Sequence, residues 1–146
     1  MKYTSERNHQ ILLELLKRNG VKKIVTSPGG TNVTFVASVQ RDSFFELYSS
    51  VDERSAAYIA CGMAEESGEP VVLSCTGATA ARNYFSGLTE AFYRKLPILA
   101  VTSTMPTERI GHAFPQATDR SVLSKDIAKC SVLYNWQKDT TFCYIF

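Results

Sequence analysis

The sequence predicts an α/β fold: a doubly wound, mostly parallel sheet with helices on both faces. Three observations carry this. Short β-branched runs alternate with helix-forming segments along most of the 146 residues. Strands separated by helices pair in parallel through right-handed crossovers. The run Val71-Val72-Leu73 within residues 70–75 is apolar without alternation, as in strands buried on both faces.

Taken in order, Ile11, Leu12, Leu15 and Leu16 recur at helical spacing and stop before Asn19-Gly20, a helix-ending pair. Residues 22–26 are short and β-branched, the first strand, and Ser27-Pro28-Gly29-Gly30 breaks it. Residues 31–40 carry Val33, Val36 and Val39 and read as a helix whose first turn exposes backbone N–H groups just past a strand end. Residues 44–48 are a second strand. Residues 53–66 are rich in alanine and other helix formers, and Gly68 ends that helix. Residues 70–75 are the third strand, 76–93 one long helix, and 97–102 the fourth strand.

Beyond this the pattern weakens: 105–121 reads as a loop, 122–129 as a short helix and 131–134 as a last strand. Residues 135–146 have no turn signal, cap or polar tail and are expected to be irregular, as in a chain cut short or read out of frame. The domain is therefore taken as residues 1–134, incomplete at its end. In a sheet of this kind ligands approach the carboxyl ends of the strands.

Composition narrows the function. A hydrophobic content of 45% against 21% charged residues supports a sizeable core. A net charge of +2 leaves no footprint for nucleic acid or an anionic membrane. No apolar run approaches a membrane span, and residues 2–10 lack the apolar core of a signal peptide, so a soluble, cytoplasmic protein is expected. The sequon Asn32-Val33-Thr34 would go unused there. Cys61, Cys75, Cys130 and Cys143 form no C-x-x-C pair and are expected to be free thiols, and neither His9 nor His112 has ligand spacing, so no metal site is expected. A dinucleotide fingerprint, a P-loop and a nucleophile elbow are all missing.

The informative segment is Val51-Asp52-Glu53-Arg54-Ser55-Ala56-Ala57-Tyr58. Glu53 falls where the second strand gives way to a helix, and the residues after it are small. On spacing alone this is a helix start, where acidic residues are favoured by the helix dipole.

This segment resembles the one that holds the cofactor-activating glutamate in thiamine-diphosphate enzymes, and closely resembles that of the 2-succinyl-5-enolpyruvyl-6-hydroxy-3-cyclohexene-1-carboxylate synthases of menaquinone formation. Further segments are similar in the same order: Thr26-Ser27-Pro28-Gly29 with Asn32, Cys75-Thr76-Gly77 through Thr79-Ala80-Ala81 to Asn83-Tyr84, Glu90-Ala91-Phe92-Tyr93 with Leu96-Pro97, and Gln116 with Thr118 and Asp119.

The resemblance implies an N-terminal, pyrimidine-binding domain. Glu53 becomes the catalytic residue: a carboxyl group bonded to the ring nitrogen N1′ drives the imino tautomer that lets C2 of the thiazolium lose its proton. A carboxyl group in an apolar pocket suits this, because desolvation lets it carry a proton near neutral pH. With Glu53, the residues Gly29, Gly77, Asn83 and Gln116 are expected to meet the cofactor, and Gly30, Thr31 and Gln116 the substrate, a 2-oxo acid. Asn83 reads equally well as a side-chain cap on its helix.

Two departures matter. The synthases carry serine and arginine where this chain has Gly30 and Thr31, so a bidentate carboxylate clamp is lost; Arg82 is a candidate replacement, though a solvated arginine is the simpler reading. The Gly-Asp-Gly motif that holds diphosphate and Mg2+ is also missing. The resemblance thus implies half a site, completed by a diphosphate-binding domain from another chain or from a missing C-terminal region, in an assembly of identical chains. Two alternatives stay open. One is the small subunit of a split 2-oxo acid decarboxylase of the phosphonopyruvate or sulfopyruvate type. The other is a flavodoxin-like binding module or remnant with no activity.

Overall fold

A computed structural model describes residues 4–77, 79–119, 123–136 and 139–145, with the side chains of Thr104, Thr107 and 133–145 outside that description. Strands β1 (Lys23–Thr26), β2 (Glu46–Ser49), β3 (Val71–Thr76) and β4 (Ile98–Thr104) are parallel and stand in the order β2-β1-β3-β4. Helices α1 (Arg7–Arg18), α2 (Val33–Gln40), α3 (Glu53–Ser67), α4 (Thr79–Arg82) and α5 (Phe85–Arg94) flank them.

The alternation of side chains along each strand divides the core in two. Val25, Val71, Leu73, Cys75, Ile98 and Ala100 pack against α3, α4 and α5. Ile24, Val72 and Val101 face the other way, onto Leu13 and Leu16 of α1 and Phe35 and Val39 of α2. Both faces of the central strands are covered, which is why their sequences are apolar throughout. Among the described residues no helix is long and apolar enough to cross a membrane.

Helix ends follow the local sequence. After α1, Gly20 takes φ 69°, Gly20 N–H donates to Lys17 O at 3.0 Å and Val21 N–H to Leu16 O at 2.9 Å, which satisfies the last carbonyls. Gly68 closes α3 in the same left-handed conformation, φ 65°.

Three expectations are corrected. The segment 76–93 is two helices: Asn83 N–H and Tyr84 N–H bond three residues back, to Ala80 O and Ala81 O, and α5 starts afresh. The segment 122–129 is not a helix where it is described. It turns at residues 125–127 with Ile127 N–H on Ser124 O at 3.2 Å. Leu123 and Ile127, spaced four apart like one helical face, plug the α3–α5 side of the core instead. The tail expected to be irregular is a strand. Strands β5 (Cys130–Trp136) and β6 (Asp139–Ile145) form an antiparallel pair, β6 against β4 and β5 at the edge. Thr140, Thr141, Phe142, Tyr144 and Ile145 are residue types that favour strands, but no Gly or Asn-Gly pair stands in the sequence just before them.

Cys61 and Cys75 are buried free thiols and Cys130 an exposed one. Cys61 donates to Gly87 O at 3.3 Å, and burial pushes its thiol up to about 11. That contact marks where α3 and α5 approach closely. A Cβ on Gly87 would stand 2.5 Å from the Ala57 Cβ, whereas one on Gly62, on the open side of α3, meets nothing within 4 Å. Gly87→Ala should therefore lose about 1–3 kcal/mol by forcing the helices apart, while Gly62→Ala should gain about 0.5–1 kcal/mol from reduced backbone freedom in the unfolded chain. Urea unfolding of both variants checks this; a Gly87→Ala protein as stable as the parent would refute the close approach.

Candidate functional site

The chain leaves β1 toward β2 on one side, and β3 then pairs with the other side of β1. The helix after β1 packs on one face of the sheet and the helix after β2 on the other. Strand order therefore reverses at β1, and the crevice outside the carboxyl ends of β1 and β3 is where open α/β sheets take ligands.

The loop after β1 is built into that crevice. Ser27 N–H donates to Ser74 O at 2.8 Å, carrying the β1–β3 ladder one step further, and Thr26 Oγ1 donates to the same carbonyl at 3.1 Å. Asn32, 1% exposed, then fixes the turn. Its Oδ1 accepts from Gly29 N–H at 2.8 Å, and its Nδ2 donates to Ser27 O at 3.2 Å and to Ser74 Oγ at 3.5 Å. A Cβ on Gly29 would lie 2.3 Å from Thr76 Cγ2, so the loop lies directly on the end of β3, while Gly30 faces open space. An open groove of about 480 Å³ runs from Pro28, Gly29 and Gly30 along Val33, Val36 and Gln40.

Glu53 opens α3, four residues beyond the end of β2, which is aligned with the end of β1 through the Thr26–Ser49 pair. The cap of α3 is Asp52, whose Oδ2 accepts from Ser55 Oγ at 2.7 Å and Ser55 N–H at 2.8 Å. The hydroxyl first and the amide second hold the Asp52 carboxyl below its ordinary range. The helix-start role that spacing allowed for both acids thus falls to Asp52. Glu53 is half-buried, and its carboxylate takes no hydrogen bond or ion pair among the described residues.

Tyr84 stands at the break between α4 and α5 and is 1% exposed. Burial, then Cys75 and the Glu53 carboxylate, drive its phenol far above the ordinary tyrosine value, with the Ser27 hydroxyl acting the other way. Tyr84 thus stands within electrostatic reach of Glu53 and faces Ser27. Its hydroxyl and Ser27 Oγ are both buried without an aligned hydrogen bond among the described residues. Sequence places Asn32 and Tyr84 within the segments that carry the resemblance but assigns neither a role in the site. The local signal is weak: a tyrosine ring reads as core, and an asparagine in Gly-Gly-Thr-Asn reads as loop.

The remaining expected residues are placed as follows. Gly77 is buried in the turn after β3. Asn83 is exposed and donates to Thr79 O at 3.3 Å, the capping geometry of its alternative reading. Thr31 Oγ1 accepts from Ser103 Oγ at 3.0 Å and donates to Ser103 O at 3.4 Å, which ties the loop to β4. Arg82 donates to Asp119 O at 3.2 Å, anchoring the 105–119 loop to α4. Gln116 is exposed on that loop with φ 61°, a left-handed conformation that non-glycine residues seldom hold. No described hydrogen bond joins it to the Asn32 group.

Residues 7–123 match the family described as thiamine pyrophosphate enzyme, N-terminal TPP binding domain. The chain is 43% identical over 108 residues to the 2-succinyl-5-enolpyruvyl-6-hydroxy-3-cyclohexene-1-carboxylate synthase of Porphyromonas gingivalis, covering 74% of this chain and 19% of that protein. It is 32% identical over 144 residues to the synthase of the same name from Phocaeicola vulgatus, covering 97% of this chain and 26% of that protein. Among solved structures, the thiamine diphosphate-dependent 4-hydroxybenzoylformate decarboxylase of Rhodococcus jostii RHA1 superposes with a TM-score of 0.69 at 18% identity over 77% of this chain and 21% of that one, a likeness of fold. The chain thus spans about a fifth to a quarter of the length of these relatives. With the crevice at the β1–β3 reversal and the sequence match over most of its length, the chain belongs to the thiamine pyrophosphate enzymes, as their N-terminal TPP-binding domain.

Proposed function

We propose that this chain supplies the pyrimidine-facing half of a thiamine-diphosphate site in a 2-oxo acid decarboxylase or carboligase resembling the menaquinone-pathway synthases, with Glu53 as the catalytic carboxylate. The observation that carries this is the division of labour at the start of α3: Asp52 takes the cap and Glu53 is left uncommitted beside the crevice.

The residues present fit the pyrimidine end of the cofactor. Two buried hydroxyls without aligned partners, on Ser27 and Tyr84, lie beside the glycine loop. When bound, the cofactor supplies a nucleophilic carbon for attack on a carbonyl. Glu53 holds and exchanges a proton at N1′, which only a titratable side chain can do. Gly29 and Gly77 keep the backbone close beneath the ring, and Asn32 holds the 27–30 loop in shape. Gly30, Thr31 and Gln116 lie on the substrate side. Because Thr31 carries no charge and its hydroxyl is engaged by Ser103, recognition of a substrate carboxylate falls to groups outside this loop.

The diphosphate and Mg2+ are held elsewhere in this reading, by a diphosphate-binding domain. Among the described residues no three His, Cys, Asp or Glu side chains come together to hold a metal ion. Val51, Tyr58 and Ile59 on one side of Glu53 and Val33 beside Gly30 are exposed apolar residues of the kind that seek a partner surface. Calorimetric titration of the chain alone with thiamine diphosphate and Mg2+ should give no saturable binding. Adding the diphosphate-binding domain of a relative should restore it. Tight, Mg2+-dependent binding by the chain alone would refute the half-site.

A further inference from the structure

We propose that His9 and Glu6 form a proton-operated latch between α1 and α2: while its imidazole is charged, His9 holds the Glu6 carboxylate against Thr34 and so fixes the first turn of α2, where the 27–32 loop ends. The latch belongs to the scaffold beneath the crevice and is independent of the role proposed for Glu53.

Glu6 occupies the position just before α1, where a side chain ordinarily caps the helix, yet it makes no cap bond. Its carboxylate is directed sideways instead. Oε2 stands 2.6 Å from His9 Nδ1, and Oε1 accepts from Thr34 Oγ1 at 3.0 Å. Thr34 is the second residue of α2, and its carbonyl accepts from Ser38 Oγ at 2.7 Å. Asn32, at the N-cap of the same helix, is the tie that shapes the glycine loop. One carboxylate thus links a buried imidazole on α1 to the helix start that carries the loop and the groove along Val33 and Val36.

His9 is 6% exposed and lies by Phe35 of α2, ring centroids 6.4 Å apart. Its Nδ1 is buried, and the Glu6 oxygen is close to it although short of ideal hydrogen-bond alignment. A charged imidazole donates from both ring nitrogens, and a bond from a charged donor to a carboxylate is roughly twice as strong as a neutral one. A neutral ring loses that charge, and with its proton on Nε2 it turns a lone pair against the carboxylate. Among the described residues, the elements packed against this end of α1 supply no other charge. Helix α2 has no titratable side chain, and Ile24, Val72, Leu99 and Val101 of the strands beneath are apolar. The other charges on α1 nearest His9 in sequence are Arg7 and Glu14, and Glu14 is paired with Arg18 at 2.8 Å. Lys17 and Asp42 pair at the far end of the helix.

The test uses the full chain. Histidine ordinarily changes charge near pH ~6.5, so the comparison is made at about pH 5.5 and about pH 8.5, a window in which glutamate stays ionised. Glu6→Gln keeps the shape and can still accept from Thr34, but it offers no charge to His9. It should raise the unfolding constant in urea roughly tenfold at the lower pH and less than about twofold at the higher. The sign follows from the latch being complete while the ring is charged and lost as rising pH takes its proton. Both measurements are made in a His112→Gln background, which removes the other histidine. By NMR, the Thr34 methyl and Gly29 amide signals should follow the titration of the His9 ring in the parent and lie flat in Glu6→Gln. Equal destabilisation at the two pH values, Thr34 and Gly29 signals blind to His9, or a step that persists in Glu6→Gln would each overturn the latch. His9→Gln should also give flat signals; where that variant does not fold, the Glu6→Gln arm decides alone.

Discussion

Replacing Glu53 with Gln should leave the fold and most cofactor affinity intact and slow hydrogen–deuterium exchange at C2 of bound thiamine diphosphate by roughly a hundredfold or more. Gln has nearly the same shape and can still hydrogen-bond a ring nitrogen, but it cannot give up or take a proton. The lost term therefore belongs to the proton-transfer step, and KM for the substrate should move little. The structure sharpens the contrast with a merely structural role. The α3 cap is made by Asp52 on Ser55. A glutamate that only favoured the helix dipole would lose about 0.3–1 kcal/mol of stability on replacement and leave exchange untouched. Asp52→Ala gives the complementary result: it should lower the melting temperature with no specific loss of exchange. The measurement needs the complex completed by a diphosphate-binding domain. Parent-like C2 exchange in Glu53→Gln would remove Glu53 from the mechanism.

Asn32→Ala should destabilise the chain by about 2–4 kcal/mol, the scale of losing several buried hydrogen bonds and stranding their partners. The amide of Asn32 serves Gly29 N–H, Ser27 O and Ser74 Oγ at once. Asn32→Asp should be no rescue: it keeps the acceptor for Gly29 but loses the donor to Ser27 O and places a charge at a site 1% exposed. Equilibrium denaturation in urea measures both. The same variants should weaken cofactor binding in the completed complex, because the 27–30 loop no longer rests on Thr76. A change within about 0.5 kcal/mol, the usual range for a surface substitution, would show that the loop holds its shape without Asn32.

Where the sequence reading went astray, local signals were ambiguous in an identifiable way. Leu123 and Ile127 have the spacing of a helical face, but that spacing also serves a turn that drops two apolar side chains into a gap in the core. The segment 76–93 contains helix formers on both sides of Asn83-Tyr84, and nothing local announces a break there. The strand at Asp139–Ile145 had the right residue types and no turn marker before it. In each case the outcome depends on contacts with residues far away in the chain, which a window of local sequence does not contain.

By itself the sequence determined the four parallel strands, the helices between them, the glycine ends at Gly20 and Gly68, and the family to which residues 7–123 belong. These are set by period, by backbone preference and by residue order, all of which are local. Tertiary structure alone decided which of two adjacent acids caps α3 and which is left over, because that depends on where the Ser55 hydroxyl points. It also decided that Asn32 is a buried tie and that the Tyr84 hydroxyl lies buried in the core. The loops that begin at residues 27, 50 and 77 share one end of the sheet only because β2, β1 and β3 stand side by side in register, and that alignment is a property of the folded sheet.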